Sequence, residues 1–113
     1  MSIIYKIANT ELWSQAENDG KFVGAPIDLE DGYIHFSTKE TVRETAAKYF
    51  SGAKDLLLIA VDTDRLNQEK LLWEPARNGA LFPHLYEPLS LEHVLWVQKM
   101  PLGANGQHIF PEL

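Results

Sequence analysis

A chain of 113 residues, 45% hydrophobic and 23% charged, is long enough to bury a core without staples and fits one domain spanning 1–113. Its formal net charge of −6 repels phosphate backbones, which excludes bulk nucleic-acid binding. The absence of cysteine excludes disulfides, thiolate nucleophiles and Cys-based metal centres, and the longest apolar run, the six residues from Leu56 to Val61, is far too short to span a bilayer.

In chain order, Met1 to Lys6 lacks the long apolar stretch of a secretory signal, so a cytoplasmic location is expected. Ile3 to Ala8 reads as an opening strand. Thr10 caps a short helix carrying Leu12, Trp13 and Ala16, and Gly20 ends it. Lys21 to Asp31, with Gly24, Pro26 and its acids, reads as a loop forming one rim of a cleft. Tyr33 to Ser37 reads as a strand with Tyr33, His35 and Ser37 on one face and Ile34 and Phe36 on the other.

Ser37-x-x-Glu40 has capping-box spacing, and Val42, Ala46, Tyr49 and Phe50 form the stripe of an amphipathic helix that stops at Ser51-Gly52. Leu56 to Val61, apolar on both faces, reads as a central strand covered on both sides. Leu71 to Glu74 is a short strand ended by Pro75, and Asn78-Gly79 is a turn. Phe82 to Tyr86, bracketed by Pro83 and Pro88, reads as an edge segment. Val94 to Lys99 is the last strand. The count is five or six strands and two helices. That pattern is α+β, with the two helices packed on mixed or mostly antiparallel strands.

Two segments carry the candidate site: Asp31-Gly32-Tyr33-Ile34-His35-Phe36-Ser37-Thr38 and Phe82-Pro83-His84-Leu85-Tyr86-Glu87-Pro88. Each sets a histidine among aromatics and hydroxyls on one strand face, which suits a small-molecule cleft more than a core. His35 and His84 are the candidate acid–base groups, although either also fits a hydrogen-bonded structural histidine. Glu74, between Trp73 and Pro75, is the candidate catalytic carboxylate. Tyr33, Ser37, Thr38, Arg77, Phe82 and Tyr86 are candidate ligand contacts. If the next helix starts at Ser37-Thr38, its free N–H groups face His35 and attract an anion, with Arg77 as the assisting cation. Ser37 and Thr38 equally fit plain helix capping. The four histidines and Glu74 show no H-x-H or H-x-x-x-H spacing, so no metal site is read from them.

D-G-Y-I-H-F-S-T and F-P-H-L-Y-E-P-L, with W-E-P-A-R-N-G between them, resemble the bacterial and plant family known as domain of unknown function 952, over about Tyr5 to Val97. The element order is also similar to the ADP-ribosyltransferase-like fold, particularly the tRNA 2′-phosphotransferases. Tyr5-Lys6-Ile7 stands at that group's first histidine motif and Tyr33-Ile34-His35-Phe36 at its second. Lys6 departs from the first motif. The resemblance implies two small sheets enclosing NAD or another nucleotide, a histidine on the ribose, and a glutamate, here Glu74, near an oxocarbenium ion. The expected function is therefore a nucleotide or small-metabolite pocket, with NAD the possible cofactor and transfer of ADP-ribose or phosphate the possible reaction. The alternative is a non-catalytic binding module.

Overall fold

A computed structural model describes residues 2–113, except the side chain of Arg77. Strand β1 (Ile3–Asn9) leads into helix α1 (Thr10–Asp19). Asn9 rather than Thr10 is the cap, its carboxamide oxygen accepting from the Leu12 N–H at 2.8 Å, and Gly20 closes the helix in the left-handed region. The segment expected to be a loop holds a two-residue strand, β2 (Lys21–Phe22), and a short helix, α2 (Pro26–Asp31). Pro26 is pre-set for the first turn, and Gly32 ends the helix at φ 87°.

Strand β3 (Ile34–His35) precedes helix α3 (Val42–Tyr49) and strand β4 (Leu56–Asp62). Strands β5 (Leu71–Pro75), β6 (Leu81–Leu85), β7 (Leu89–Ser90) and β8 (Val94–Lys99) complete the chain, which ends in an irregular tail. Among the described residues, the expected two sheets and two helices become three sheets and three α-helices, in an α+β architecture whose strand pairs are all antiparallel. The sheets have the orders β1–β4–β8, β2–β7 and β3–β6–β5.

Strand β4 lies at the centre of the first sheet, and its alternation explains its composition. Ile59 and Val61 face a core with Ile4, Ala8, Trp13, Phe22, Ile34, Leu71, Leu85 and Leu89. Leu56, Leu58 and Ala60 face a second core with Tyr5, Ile7, Val42, Ala46 and Met100. One layer thus carries α1 and the two smaller sheets, and the opposite layer carries α3 and the tail. Trp13 is in the core, but Trp73 is 43% exposed.

Strand β6 is central rather than an edge, despite Pro83. Its neighbours are β3 on one side and β5 on the other. The Pro83 carbonyl accepts from the Phe36 N–H at 3.0 Å, so its missing N–H falls just where β3 leaves the sheet. A proline there removes only the last rung of that ladder.

Candidate functional site

Pairing places the two histidines together. His35 of β3 lies opposite His84 of β6, and Leu72 and Glu74 of β5 share that face. Their rings are 5.4 Å apart, centroid to centroid. Tyr33 closes the group: it stacks on His84 at 4.1 Å and contacts His35 at 4.6 Å and Tyr86 at 5.0 Å. Such stacked and tilted ring pairs add modestly to their area burial and hold the rings in place.

Carboxylates fix both histidines. Glu74 Oε1 lies 2.8 Å from His84 Nδ1 and accepts from the Tyr86 hydroxyl at 2.6 Å. The hydrogen bonds from Tyr86 and His84 hold the Glu74 carboxyl below its usual range, so it is ionised at neutral pH. The same bond pushes the Tyr86 phenol up to about 12. Tyr86 therefore acts as a hydrogen-bond donor rather than as a base. Burial, then the charges of Asp31 and Glu74, raises Tyr33 as well.

His35 stands between two acids. Its Nδ1 is 2.7 Å from Asp28 Oδ1, and its Nε2 is 2.9 Å from Asp31 Oδ2. Asp28 is 1% exposed and works as a hub. Its Oδ1 also accepts from the His35 backbone N–H at 3.1 Å, and its Oδ2 accepts from the Ala25 N–H at 2.7 Å. The second of these bonds is the reverse half of a capping box, helix residue N3 reaching back to the residue before the helix. Lys6, itself buried, donates to both oxygens at 3.0 and 2.8 Å.

Gly24 makes room for this hub. Its φ is +122°, and a Cβ there would lie 2.8 Å from the Asp28 Cβ. Gly24→Ala is expected to destabilise the fold by about 2–3 kcal/mol, from backbone strain and displacement of Asp28. Urea unfolding measures it. A loss below about 0.5 kcal/mol, no more than an ordinary surface substitution, would show that the segment relaxes freely.

Of the residues expected from the sequence, Tyr33, His35, Glu74, His84 and Tyr86 are brought together. Phe82 lies two residues before His84, opposite Glu74, and is buried. Ser37 and Thr38 are not in the cluster. After His35 the chain leaves β6 for β1, where Ser37 and Tyr5 exchange backbone bonds of 2.8 Å. The strand alternation breaks at that crossing. The Ser37 hydroxyl donates to Thr45 of α3 at 3.0 Å, and the Thr38 hydroxyl meets Thr41 at 3.0 Å.

Helix α3 begins at Val42, and the Thr38 N–H is taken by Thr41 Oγ1 at 2.9 Å. An anion site formed by a helix start at Ser37-Thr38 is therefore not built. The Arg77 side chain lies outside the described residues. Among the described residues, no three histidine, aspartate or glutamate side chains gather to hold a metal.

Lys6, Asp28 and Asp31 were not among the expected contacts. The available signal was Pro26 and Asp28 at the first and third positions of a helix, closed by Gly32. A separate cavity of about 650 Å³, lined in part by Arg43, Ala46, Ser51, His108 and Phe110, lies between α3 and the tail and shares no residue with the cluster.

The family model described as "Protein of unknown function (DUF952)" matches residues 7–97. Among solved structures, the crystal structure of protein CC0527 from Caulobacter crescentus is 44% identical. It covers 96% of this chain and 94% of its own, with a TM-score of 0.91. A crystal structure of a double mutant of CC0527 is 42% identical with the same coverage and TM-score. Its solution NMR structure is 45% identical, covering 95% of this chain and 91% of its own, with a TM-score of 0.84. No curated protein matches the chain. No described helix is long and apolar enough to cross a membrane.

Proposed function

Since this chain belongs to the DUF952 family, whose description names no activity, we propose its function from the cluster itself: Tyr33, His35, Glu74, His84 and Tyr86 form the binding site of a small metabolite of the nucleotide kind, with NAD one candidate. The observation that carries this reading is the Tyr33–His84 stack, held between two histidine–carboxylate pairs. Such a group offers ring faces for a base and fixed donors and acceptors for sugar hydroxyls. Contacts are expected to base and ribose more than to phosphate, because the Lys6 ammonium is closed off by Asp28 and the surrounding side chains are acidic.

A second reading, transfer of ADP-ribose or phosphate, has one observation in its favour. Glu74 is held ionised beside His84, where a carboxylate stabilises positive charge developing at a sugar carbon. The ADP-ribosyltransferase-like element order supports the same reading. Lys6 weighs against it, since the residue at the first histidine's place is buried and spent on Asp28.

Titrating adenosine, ADP-ribose and NAD while following amide chemical shifts tests the binding. The largest shifts are expected over residues 28–36, 72–74 and 82–87. Shifts confined to other regions, or none at millimolar ligand, would remove the reading. If NAD is slowly hydrolysed, Glu74→Gln should abolish turnover while the shifts persist. Binding without turnover in the unaltered protein would leave the non-catalytic module.

A further inference from the structure

Beside the ring cluster is a hollow of about 230 Å³, open to solvent between α2, β3 and the corner after β6. Tyr33 and Tyr86 line it together with Val23, Leu29, Pro88 and the carboxylate-bearing Glu87. The geometry points to this hollow as a subsite for an organic cation, an alkylated or primary ammonium group carried by a small metabolite. This rests on the proposed small-molecule site, whose two tyrosines it shares, and names the chemistry of one end of that ligand.

Three observations carry the assignment. The first is the aromatic wall. A cation over a tyrosine face is attracted by the ring quadrupole, more strongly where water is excluded. Tyr86 donates its hydroxyl proton to Glu74 at 2.6 Å, which shifts electron density into its ring and strengthens that face. Tyr33 is fixed from behind by its stack on His84, so its ring is already in position.

The second is charge. Among the described residues, no lysine or arginine lines the hollow. Lys6 is not among the lining residues; it is buried and held on Asp28 by two short contacts. Glu87 lines the hollow itself, the charges of Asp31 and Glu74 act on Tyr33, and Glu74 accepts from the Tyr86 hydroxyl. A phosphate or carboxylate entering here meets acids with no counter-charge. An ammonium meets ring faces and carboxylates.

The third is the rim. Val23 is 47% and Leu29 62% exposed, two apolar side chains among the residues that line the hollow. They suit the methyl or methylene groups around an ammonium nitrogen and exclude water from the contact. The volume is below that of a drug-sized site, which fits a headgroup rather than a whole ligand.

The probe is tetramethylammonium chloride, titrated into the full chain at constant ionic strength, with tert-butanol as its uncharged match. Amide shifts should move over residues 23, 32–34 and 85–87 with tetramethylammonium and stay still with tert-butanol. Tyr86→Leu should weaken the binding by about fivefold or more, and Glu87→Gln by about two- to fivefold, as loss of a ring face and of a nearby charge each predict. Tyr86→Phe, which keeps the ring but loses the bond to Glu74, should bind more weakly than the unaltered protein and more tightly than Tyr86→Leu.

Equal shifts from tert-butanol, no saturable shifts at tens of millimolar, or an affinity untouched by Tyr86→Leu would each overturn the cation assignment. If the nucleoside titration still moves residues around His35 and His84 while tetramethylammonium moves nothing, this inference fails alone. If both titrations are silent, the site reading fails with it.

Discussion

Asp28→Asn is expected to lower the stability of the fold by about 3–5 kcal/mol, the loss seen when one partner of a buried ion pair is removed. The carboxylate accepts from Lys6 on both oxygens, from His35 at backbone and ring, and from the Ala25 N–H. An amide keeps one oxygen. Its NH₂ would then point donor against donor, toward either the Ala25 N–H or the His35 N–H. Lys6 would also be left buried with no counter-charge.

The pH dependence has a definite sign. Burial pushes the Asp28 carboxyl up, but the His35 hydrogen bond, the Lys6 charge and the remaining donors outweigh it and hold the group at about 2 against an ordinary 3.8. Stability from this depressed value is fully present above about pH 4 and is lost as pH falls through about 2; it amounts to roughly 2 kcal/mol. Lys6 shifts in the opposite energetic sense. Burial holds its ammonium below the usual lysine range even with Asp28 beside it, so keeping it charged opposes folding, and this part of stability rises with pH as that group titrates. The pair together contributes less than the Asp28 shift alone suggests, yet orphaning either member is costly. Adding Lys6→Met to Asp28→Asn should return part of the loss in urea unfolding. A single-variant loss below about 1 kcal/mol, or no recovery in the double variant, would show that the hub is not the anchor proposed.

Leu58→Ala should lose about 2–5 kcal/mol in the same measurement, the range for a fully enclosed leucine. Leu58 is 0% exposed on the central strand, with Tyr5, Ile7, Val42, Ala46 and Met100 in the same core. Leu57, its neighbour on the other face, is only half-buried, and Leu57→Ala should lose clearly less. Equal losses at the two positions would contradict the division of β4 between two cores.

The central strand was legible because a run with no polar residue on either face has few homes in an antiparallel fold, and β4 is packed on both sides. The meeting of His35 and His84 was legible through period-two alternation, since Ile34 and Leu85 bury their faces and turn the histidines to the other. The same rule misled at Ser37. Alternation holds only while a strand stays in one sheet, and the chain changes sheets at that point. Helix α2 was missed because Gly24 and Pro26 read as loop residues, although proline at the first helical position with an acid at the third marks a helix start. Strands β2 and β7 are two residues each and pair with one another, residues 21–22 with 89–90, so no local pattern marks the pairing. Lys6 gave no signal of burial, because its partner lies twenty-two residues away.

The wiring of the sheets sets an order for how the cluster assembles. Strands β5 and β6 are a local hairpin, so Glu74 and His84 meet early and with little loop-closure cost. Strand β1 instead pairs residues 3–9 with residues 56–62, a long-range closure of the kind that slows folding. Lys6 arrives with β1, and only then does the Asp28 carboxylate acquire its third partner, after Ala25 and His35. The acid–histidine pair on the hairpin is thus a product of fast, local chemistry, while its counterpart waits for long-range pairings, β1 with β4 and β3 with β6. Ring contacts at Tyr33, followed by fluorescence during refolding, should therefore appear in a slower phase than the hairpin.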